Sequence, residues 1–261
     1  METIKLTPAC KDYLWGGEKL RQDYGIQSQL HPLAEAWVLS CHPDGPSVVA
    51  TGPLAGKTLP EYIQEKGPGC LGADCEKFTD FPILAKFIDA KGDLSIQVHP
   101  SNEYALAHEH QFGKTEMWYV LDCEPGATLY YGFQHQISRE EFQQRIQDNT
   151  LTEVLNAVPV EKGDLFFIPA GTLHAIRKGI VVAEIQQNSN VTYRIYDYGR
   201  VTLEFCWISA ITMPWQMACS VPEGMKNTSP LWTGAALSTS VRVLSWMRRS
   251  NSSLEMAWSK P

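Results

Sequence analysis

Short runs in which apolar and polar residues alternate recur through the first two hundred positions. AEAWVLSCH, TEMWYVLD and GATLYYGF show the period of two that is typical of a half-buried β-strand. FPILAKFIDA is apolar enough for a fully buried strand, and turn clusters such as PDGPS separate the runs. We count at least eight short strands and few long helices. This pattern favours a mainly β fold, either a β-barrel or a jelly roll.

Helix starts are marked by capping boxes, in which a Ser or Thr is followed three residues later by a Glu. These pairs are Thr58 with Glu61, Ser138 with Glu141, and Thr150 with Glu153. The first pair predicts a short helix ended by Gly67, and Ser101 predicts a capped helix over 102–110. The other two pairs predict paired small helices that form an insertion at about 138–157, because strand patterns resume at once with Val160.

The chain changes character after Arg200. Residues 201–261 hold five of the eight Trp and five of the seven Met, and they contain no Asp, His or Tyr. Neither the alternation nor the capping boxes continue there. We therefore divide the chain into a domain over 1–200 and an atypical segment over 201–261. A shifted reading frame, an alternative exon or a rearranged end would explain that segment; the alternative is an ordinary Trp-rich terminus.

Composition narrows the range of partners. The 261 residues are 44% hydrophobic and 20% charged, as in an ordinary globular protein. A formal charge of −7 and the lack of any Lys/Arg block argue against a nucleic-acid surface or a polybasic membrane patch. There is no apolar signal core and no run of eighteen apolar residues. Seven cysteines without a CxxC are typical of reduced thiols, so we expect a cytoplasmic protein.

The most informative stretch is LSIQVHPSNEYALAHEHQFGKTE. A strand over 93–99 would place Ser95, Gln97 and His99 on one face. The same period places Lys114, Glu116 and Trp118 on one face of the following strand. If the two strands lie side by side, Gln, His and Glu form half of a metal site. We expect His108 and His110, which lie between the strands, to face solvent.

A second stretch, GDLFFIPAGTLHAI, places His174 at the start of a strand after a tight turn. Together, one Gln, two His and one Glu suit Zn(II) and tolerate Fe(II), Mn(II) or Co(II). A lone strand His is more often structural than ligating, so it is the combination that carries the prediction. On a later strand, Thr192, Arg194 and Tyr196 share a face. Lys86 interrupts an apolar strand, either as an edge residue or as a cation that faces a cavity.

The segments KGDLSIQVHP, FGKTEMWYVL, GDLFFIPAGTLHAI and EIQQNSNVTYRIYDYGR resemble type I mannose-6-phosphate isomerases in their short bacterial form. The resemblance extends from about Leu6 to Arg200 and includes YLWGG. It implies a cupin-type jelly roll with one Zn(II) per chain. In the family, a second jelly-roll portion stands where this chain has residues 201–261.

Carried over residue by residue, the resemblance implies roles for particular side chains. The zinc ligands would be Gln97, His99, Glu116 and His174. Arg194 would be the catalytic arginine, and Ser95 and Lys114 would line the sugar-phosphate pocket. Trp15 of YLWGG is a further candidate for substrate binding; the alternative is that Trp15 only packs its own loop.

The implied reaction is the interconversion of mannose 6-phosphate and fructose 6-phosphate through a cis-enediol. Lys86 and Lys114 are candidates for the proton-transferring base if burial or neighbouring cations depress a pKa. The alternative for each is a phosphate anchor or a core-edge lysine. Two other functions stay open: a non-catalytic zinc cupin that binds or senses a sugar or sugar phosphate, and a two-His, one-carboxylate iron oxygenase, against which Gln97 argues. The sequence predicts no oligomeric state.

Overall fold

We describe the protein from a computed structural model. The structure describes residues 3–78 and 80–200, so the predicted atypical segment lies outside the described residues. The β-strands are β1 (Leu6–Thr7), β2 (Ala9–Lys11), β3 (Glu35–Leu39), β4 (Val48–Val49), β5 (Ile83–Ala90), β6 (Ile96–Val98), β7 (Glu116–Cys123), β8 (Thr128–Phe133), β9 (Leu155–Pro159), β10 (Leu165–Ile168), β11 (His174–Ile176), β12 (Ile180–Gln187) and β13 (Tyr193–Tyr196). The α-helices are α1 (Lys19–Gln22), α2 (Leu59–Lys66), α3 (Asn102–His108) and α4 (Arg139–Gln147).

Two antiparallel sheets form the body of the described region. The six-stranded sheet has the order β10-β7-β12-β5-β3-β2, and the five-stranded sheet has the order β13-β6-β11-β8-β9. The strands β1 and β4 form a separate pair. Strands that are neighbours in the sheets are often distant in sequence, as in a jelly roll. The predicted mainly β fold is confirmed.

The main core lies where the two sheets meet. Ile88, Trp118 and Val182 from the six-stranded sheet pack with Leu129 and Ile176 from the five-stranded sheet, and all five are almost completely buried. Because side chains alternate across a strand, the other face of each sheet also needs cover. On the five-stranded sheet, Ile96 and Val98 pack in a cluster with apolar residues of α4. On the six-stranded sheet, Phe87 of β5 packs in a cluster with Leu20 and Leu33. β5 is therefore covered on both faces, which explains its almost continuous apolar run.

Most predicted helices are present. Thr58 and Glu61 form a reciprocal capping box at the start of α2. The side chains of Ser101 and Ser138 each accept a hydrogen bond from a backbone N–H in the first turn of α3 and α4, respectively. Within the described residues, no helix is both long and apolar enough to span a membrane.

The prediction of a second helix in the insertion is wrong. Thr150 makes no capping hydrogen bond through its side chain, and only a 3₁₀ turn forms over Leu151–Glu153. The chain then enters β9, which pairs with β8 at the edge of the five-stranded sheet. Pro159 ends this strand and disfavours helical geometry at Val158, and its missing N–H is tolerated at a sheet edge. The insertion itself, with its boundaries, stays a prediction.

The two strands that carry the metal candidates do not lie side by side, the arrangement on which the half-site was conditional. The first strand is shorter than 93–99, and β6 pairs with β11 and β13 in the five-stranded sheet. The second, β7, pairs with β10 and β12 in the six-stranded sheet. The candidate ligands therefore approach one another from two facing sheets, not from neighbouring strands of one sheet.

The loop that carries Trp15 packs closely on the six-stranded sheet. Gly16 forms a β-bridge with Ala90, and Gly17 forms one with Leu33. A Cβ at Gly16 would lie 2.5 Å from Cβ and 2.6 Å from Cα of Ala34. These contacts allow glycine alone, so the pair of glycines holds the Trp15 loop against the sheet.

We predict that Gly16→Ala lowers the free energy of unfolding by about 1–3 kcal/mol, the usual cost of overpacking a close contact. The matched control is Gly69→Ala, because a Cβ there has no heavy atom within 4 Å. We expect the control to stay within about 0.5 kcal/mol of the parent. Urea denaturation of the three proteins measures the difference. Equal stability of both variants would contradict the close packing.

Candidate metal centre and active-site cavity

The five-stranded sheet aligns three of the site candidates in one row. Gln97 on β6 lies directly opposite Arg194 on β13 and directly opposite His174 on β11. Directly opposed residues of an antiparallel pair point to the same face of the sheet. His99 follows immediately after β6, where its backbone carbonyl accepts a hydrogen bond from the N–H of Gly171 at 2.8 Å. One sheet thus supplies the Gln, both His and the Arg.

Glu116 reaches the two histidines from the opposite sheet. Its Oε2 lies 3.3 Å from Nε2 of His99, and its Oε1 lies 3.3 Å from Nε2 of His174. The ligand atoms that these three residues offer lie within 4.8 Å of one another, and each residue is at most 1% exposed. The side-chain amide nitrogen assigned to Gln97 lies 3.4 Å from Nε2 of His174. Turning that amide over would present its oxygen instead.

The hydrogen bonds at the far side of both imidazoles fix which nitrogen faces Glu116. Nδ1 of His99 lies 3.1 Å from the carbonyl oxygen of Val191, and Nδ1 of His174 lies 2.8 Å from that of Thr172. A carbonyl only accepts hydrogen bonds, so each Nδ1 carries the proton and donates. In the neutral ring, each Nε2 then turns a lone pair towards the carboxylate.

Electrostatics keep this arrangement in the protonation state that a metal needs. Burial, followed by the charge of Lys114, lowers the pKa of His99 to about 3, and burial also lowers the pKa of His174. Burial alone would raise the pKa of Glu116, but Lys114 and then His99 hold it well below its usual value. Two neutral imidazoles and one carboxylate are the forms in which these residues bind metals.

The donor set fits a divalent cation. Oε1 of Glu116 is buried and has no hydrogen-bond partner, whereas Oε2 is paired with the ammonium of Lys114. Acceptor atoms of three residues therefore face one another in a dry site, which is costly unless a cation lies among them. Lys114 supplies part of that charge, because its Nζ lies 2.9 Å from Oε2 of Glu116 and 3.1 Å from Nε2 of His99. The structure thus brings the predicted ligands together as a possible metal site.

A cavity of about 310 Å³ opens beside this cluster. The predicted residues that line it are Trp15, Lys86, Ser95, Gln97, Lys114 and Arg194. His99, Glu116 and His174 do not appear on its wall, because they lie in the core next to it. His108 and His110, both exposed, are also absent from the wall.

Lys86 does not lie at a sheet edge. It occupies the middle of β5, between β3 and β12, and it is 6% exposed. Its Nζ lies 3.1 Å from Oε1 of Glu184 and 3.4 Å from Oε2 of Glu35. Burial by itself would lower the pKa of Lys86, but Glu184 and then Glu35 raise it above its usual value. The condition under which Lys86 could act as a base is therefore not met in this arrangement.

The sequence analysis did not identify Glu35 and Glu184 as site residues. Both are buried and both line the cavity. Oε2 of Glu184 accepts a hydrogen bond from Nε1 of Trp118 at 2.7 Å, and burial, followed by the charge of Glu116, raises the pKa of Glu184. The available signal was a single carboxylate that interrupts an apolar run in the strand IVVAEIQQ. Such a residue needs a buried partner, and Lys86 at the opposed position provides one.

Comparison with known proteins agrees with this fold. The fold and the buried His–Glu–His cluster define a β-sandwich protein with a candidate metal site. The sequence profile of the phosphomannose isomerase type I catalytic domain matches residues 3–126. The crystal structure of mannose 6-phosphate isomerase from Bacillus subtilis superposes with a TM-score of 0.76 and 38% identity, over 86% of this chain and 70% of that one. The chain belongs to the type I phosphomannose isomerase family.

Two curated relatives show how much of the family's length the chain matches. It is 46% identical over 196 residues to the probable mannose-6-phosphate isomerase GmuF of Bacillus subtilis, a match that covers 75% of this chain and 61% of that protein. It is 43% identical over 187 residues to mannose-6-phosphate isomerase of Streptococcus mutans, covering 72% and 58% respectively. The chain thus spans less than two thirds of the length of these relatives.

We predict that His174→Ala abolishes stoichiometric metal binding, because it removes one of the neutral nitrogen donors that face Glu116. Arg194→Ala is the matched control, since Arg194 lies in the same row but offers no ligand atom. Metal content after dialysis against a weak chelator measures the difference. Equal metal loss in the two variants would contradict this division between ligand and non-ligand.

Proposed function

We propose that this protein binds one Zn(II) and interconverts mannose 6-phosphate and fructose 6-phosphate. The observation that carries the proposal is the cluster of buried acceptors at His99, Glu116 and His174, directly beside a cavity that is lined by Lys and Arg side chains. The printed names of the curated relatives support the substrate. All residues of the proposed site lie in the domain predicted over 1–200. The proposed reaction is that of relatives whose length this chain spans only in part.

Gln97, His99, Glu116 and His174 would hold the metal. Nitrogen and oxygen donors of this kind suit Zn(II), and an amide in place of a second carboxylate leaves the site with one negative charge. When bound, zinc supplies a Lewis acid that polarises sugar oxygens. The protein's contribution is to keep both imidazoles neutral and correctly turned through the carbonyls of Val191 and Thr172.

The cavity suits a small, phosphorylated sugar. Its volume lies at the small end of the range for ligand pockets. Arg200 lines it and can bind a phosphate dianion, because charge-assisted hydrogen bonds are the strong ones. Ser95 adds a hydroxyl donor. The ring of Trp15, stacked on Tyr13 at 5.4 Å between centroids, offers an apolar wall to the face of a sugar.

The reaction moves a proton from C2 of the open-chain aldose to C1, through a cis-enediol. Negative charge develops on the two neighbouring oxygens, and the guanidinium of Arg194, next to Gln97, would stabilise that charge. Proton transfer needs a group whose pKa lies near the operating pH. Glu184 fits this requirement best among the carboxylates of the cavity, because burial raises its pKa. Lys114, 3.9 Å from Glu184, stays a second candidate.

We predict that Arg194→Ala lowers kcat for mannose 6-phosphate by about 10²–10³, the cost of removing one group that stabilises developing charge. Arg139→Ala, which changes an exposed arginine of α4, is the control and should leave kcat unchanged. A coupled assay for fructose 6-phosphate measures both variants with their zinc content. Full activity in Arg194→Ala would refute the proposed role of this arginine.

The same assay tests the reaction itself. If the parent protein carries one equivalent of zinc and binds mannose 6-phosphate by calorimetry, yet forms no fructose 6-phosphate, the isomerase proposal is wrong. The alternative would then be a non-catalytic zinc protein that binds or senses a sugar phosphate.

We predict that Glu184→Gln lowers kcat by about 10²–10⁴, the usual contribution of general acid–base catalysis. The amide keeps the shape of the side chain and can still accept the hydrogen bond from Trp118. Glu153→Gln, at an exposed position of the 3₁₀ turn, is the control. If Glu184→Gln keeps most of its kcat, Glu184 is not the base.

A further inference from the structure

Four residues form a straight row across the six-stranded sheet. Trp37 on β3 lies opposite Lys86 on β5, Lys86 lies opposite Glu184 on β12, and Glu184 lies opposite Trp118 on β7. The row begins and ends with an indole, and each indole donates to a carboxylate. Nε1 of Trp118 donates to Oε2 of Glu184, and Nε1 of Trp37 donates to Oε2 of Glu35, both at 2.7 Å.

The ammonium of Lys86 is therefore shared between two carboxylates that are each held in place. Its Nζ lies 3.4 Å from Glu35 and 3.1 Å from Glu184, and 5.5 Å from the centroid of the Trp37 ring. Glu35 and Lys86 are each 6% exposed and Glu184 is 3% exposed. In so dry a place, an ammonium with only one carboxylate partner forms a tight pair with it.

We propose that Glu35 is a positioning residue, which holds the ammonium of Lys86 as a second partner, keeps it from closing onto both carboxylate oxygens of Glu184 and so leaves the Glu184 carboxylate available to the substrate. The inference rests on the proposed isomerase function only for its kinetic consequence. Glu35 lies on the side of Lys86 opposite to Glu184 and to the metal cluster, since β3 and β12 flank β5. It is thus placed to act through Lys86, and Trp37 fixes its direction.

Two variants separate this role from simple packing. Glu35→Gln removes the charge but keeps the size and an acceptor for Trp37. Trp37→Phe removes the N–H that aims Glu35 but leaves an aromatic ring beside Lys86. Glu103→Gln, at an exposed position of α3, is the matched control for loss of one negative charge.

The first measurement does not depend on turnover. In a crystal structure of Glu35→Gln, we expect Nζ of Lys86 to move towards Glu184 and to approach both of its carboxylate oxygens. The proposal is overturned if Nζ keeps its position between β3 and β12. Failure of the isomerase assay in the parent protein would leave this result unaffected, so the two proposals fail separately.

The second measurement is a double-mutant cycle. We expect Glu35→Gln to lower kcat about tenfold and to change KM less than about twofold. The tenfold effect on kcat is within the range of coupling energies for residues of one network. In a Lys86→Met background, Glu35→Gln should change kcat less than about twofold, because the residue through which it acts is gone. Trp37→Phe should follow the same pattern with a smaller effect. An equal loss of kcat in both backgrounds would show that Glu35 does not act through Lys86.

Discussion

The site depends on a buried carboxylate, Glu116, whose Oε1 receives no hydrogen bond and whose Oε2 is paired with Lys114. Glu116 meets the unprotonated Nε2 atoms of two imidazoles, because the Nδ1 atoms of both rings donate to backbone carbonyls. Such an arrangement is repulsive unless positive charge lies within it. Lys114 supplies one cation, and a divalent metal would supply another. The tautomers of His99 and His174, and hence the loops that carry Val191 and Thr172, are therefore part of the metal centre.

The two sheets contribute different chemistry to the cavity. The five-stranded sheet presents neutral donors and Arg194. The six-stranded sheet presents buried charges of alternating sign, in the order Glu35, Lys86, Glu184, Lys114 and Glu116. Each cation of this series touches two carboxylates, so no charge is left alone in the core.

Local patterns predicted the parts of the site, but not how they come together. Alternation correctly grouped Ser95 with Gln97, and capping boxes located α2 and α4. Whether β6 and β7 lie side by side could not be predicted, because strand partners depend on residues far away in sequence, which a local period cannot specify. The same limit explains why Glu35 and Glu184 were not identified as site residues from the sequence. A lone charge in an apolar strand shows that a partner is needed, but the partner is defined only when the strands align.

Buried ion pairs are weak grounds for expecting stability. Replacing a buried charge network with apolar residues is often neutral or stabilising, whereas removing one partner is strongly destabilising. The charge series of the six-stranded sheet is therefore poorly explained by folding alone, since Val or Leu at these positions would suit a strand covered on both faces. Its charged side chains instead line the cavity beside the metal centre. The arrangement of Glu35, Lys86 and Glu184 is more reasonably understood as a means of holding a reactive carboxylate only partly paired.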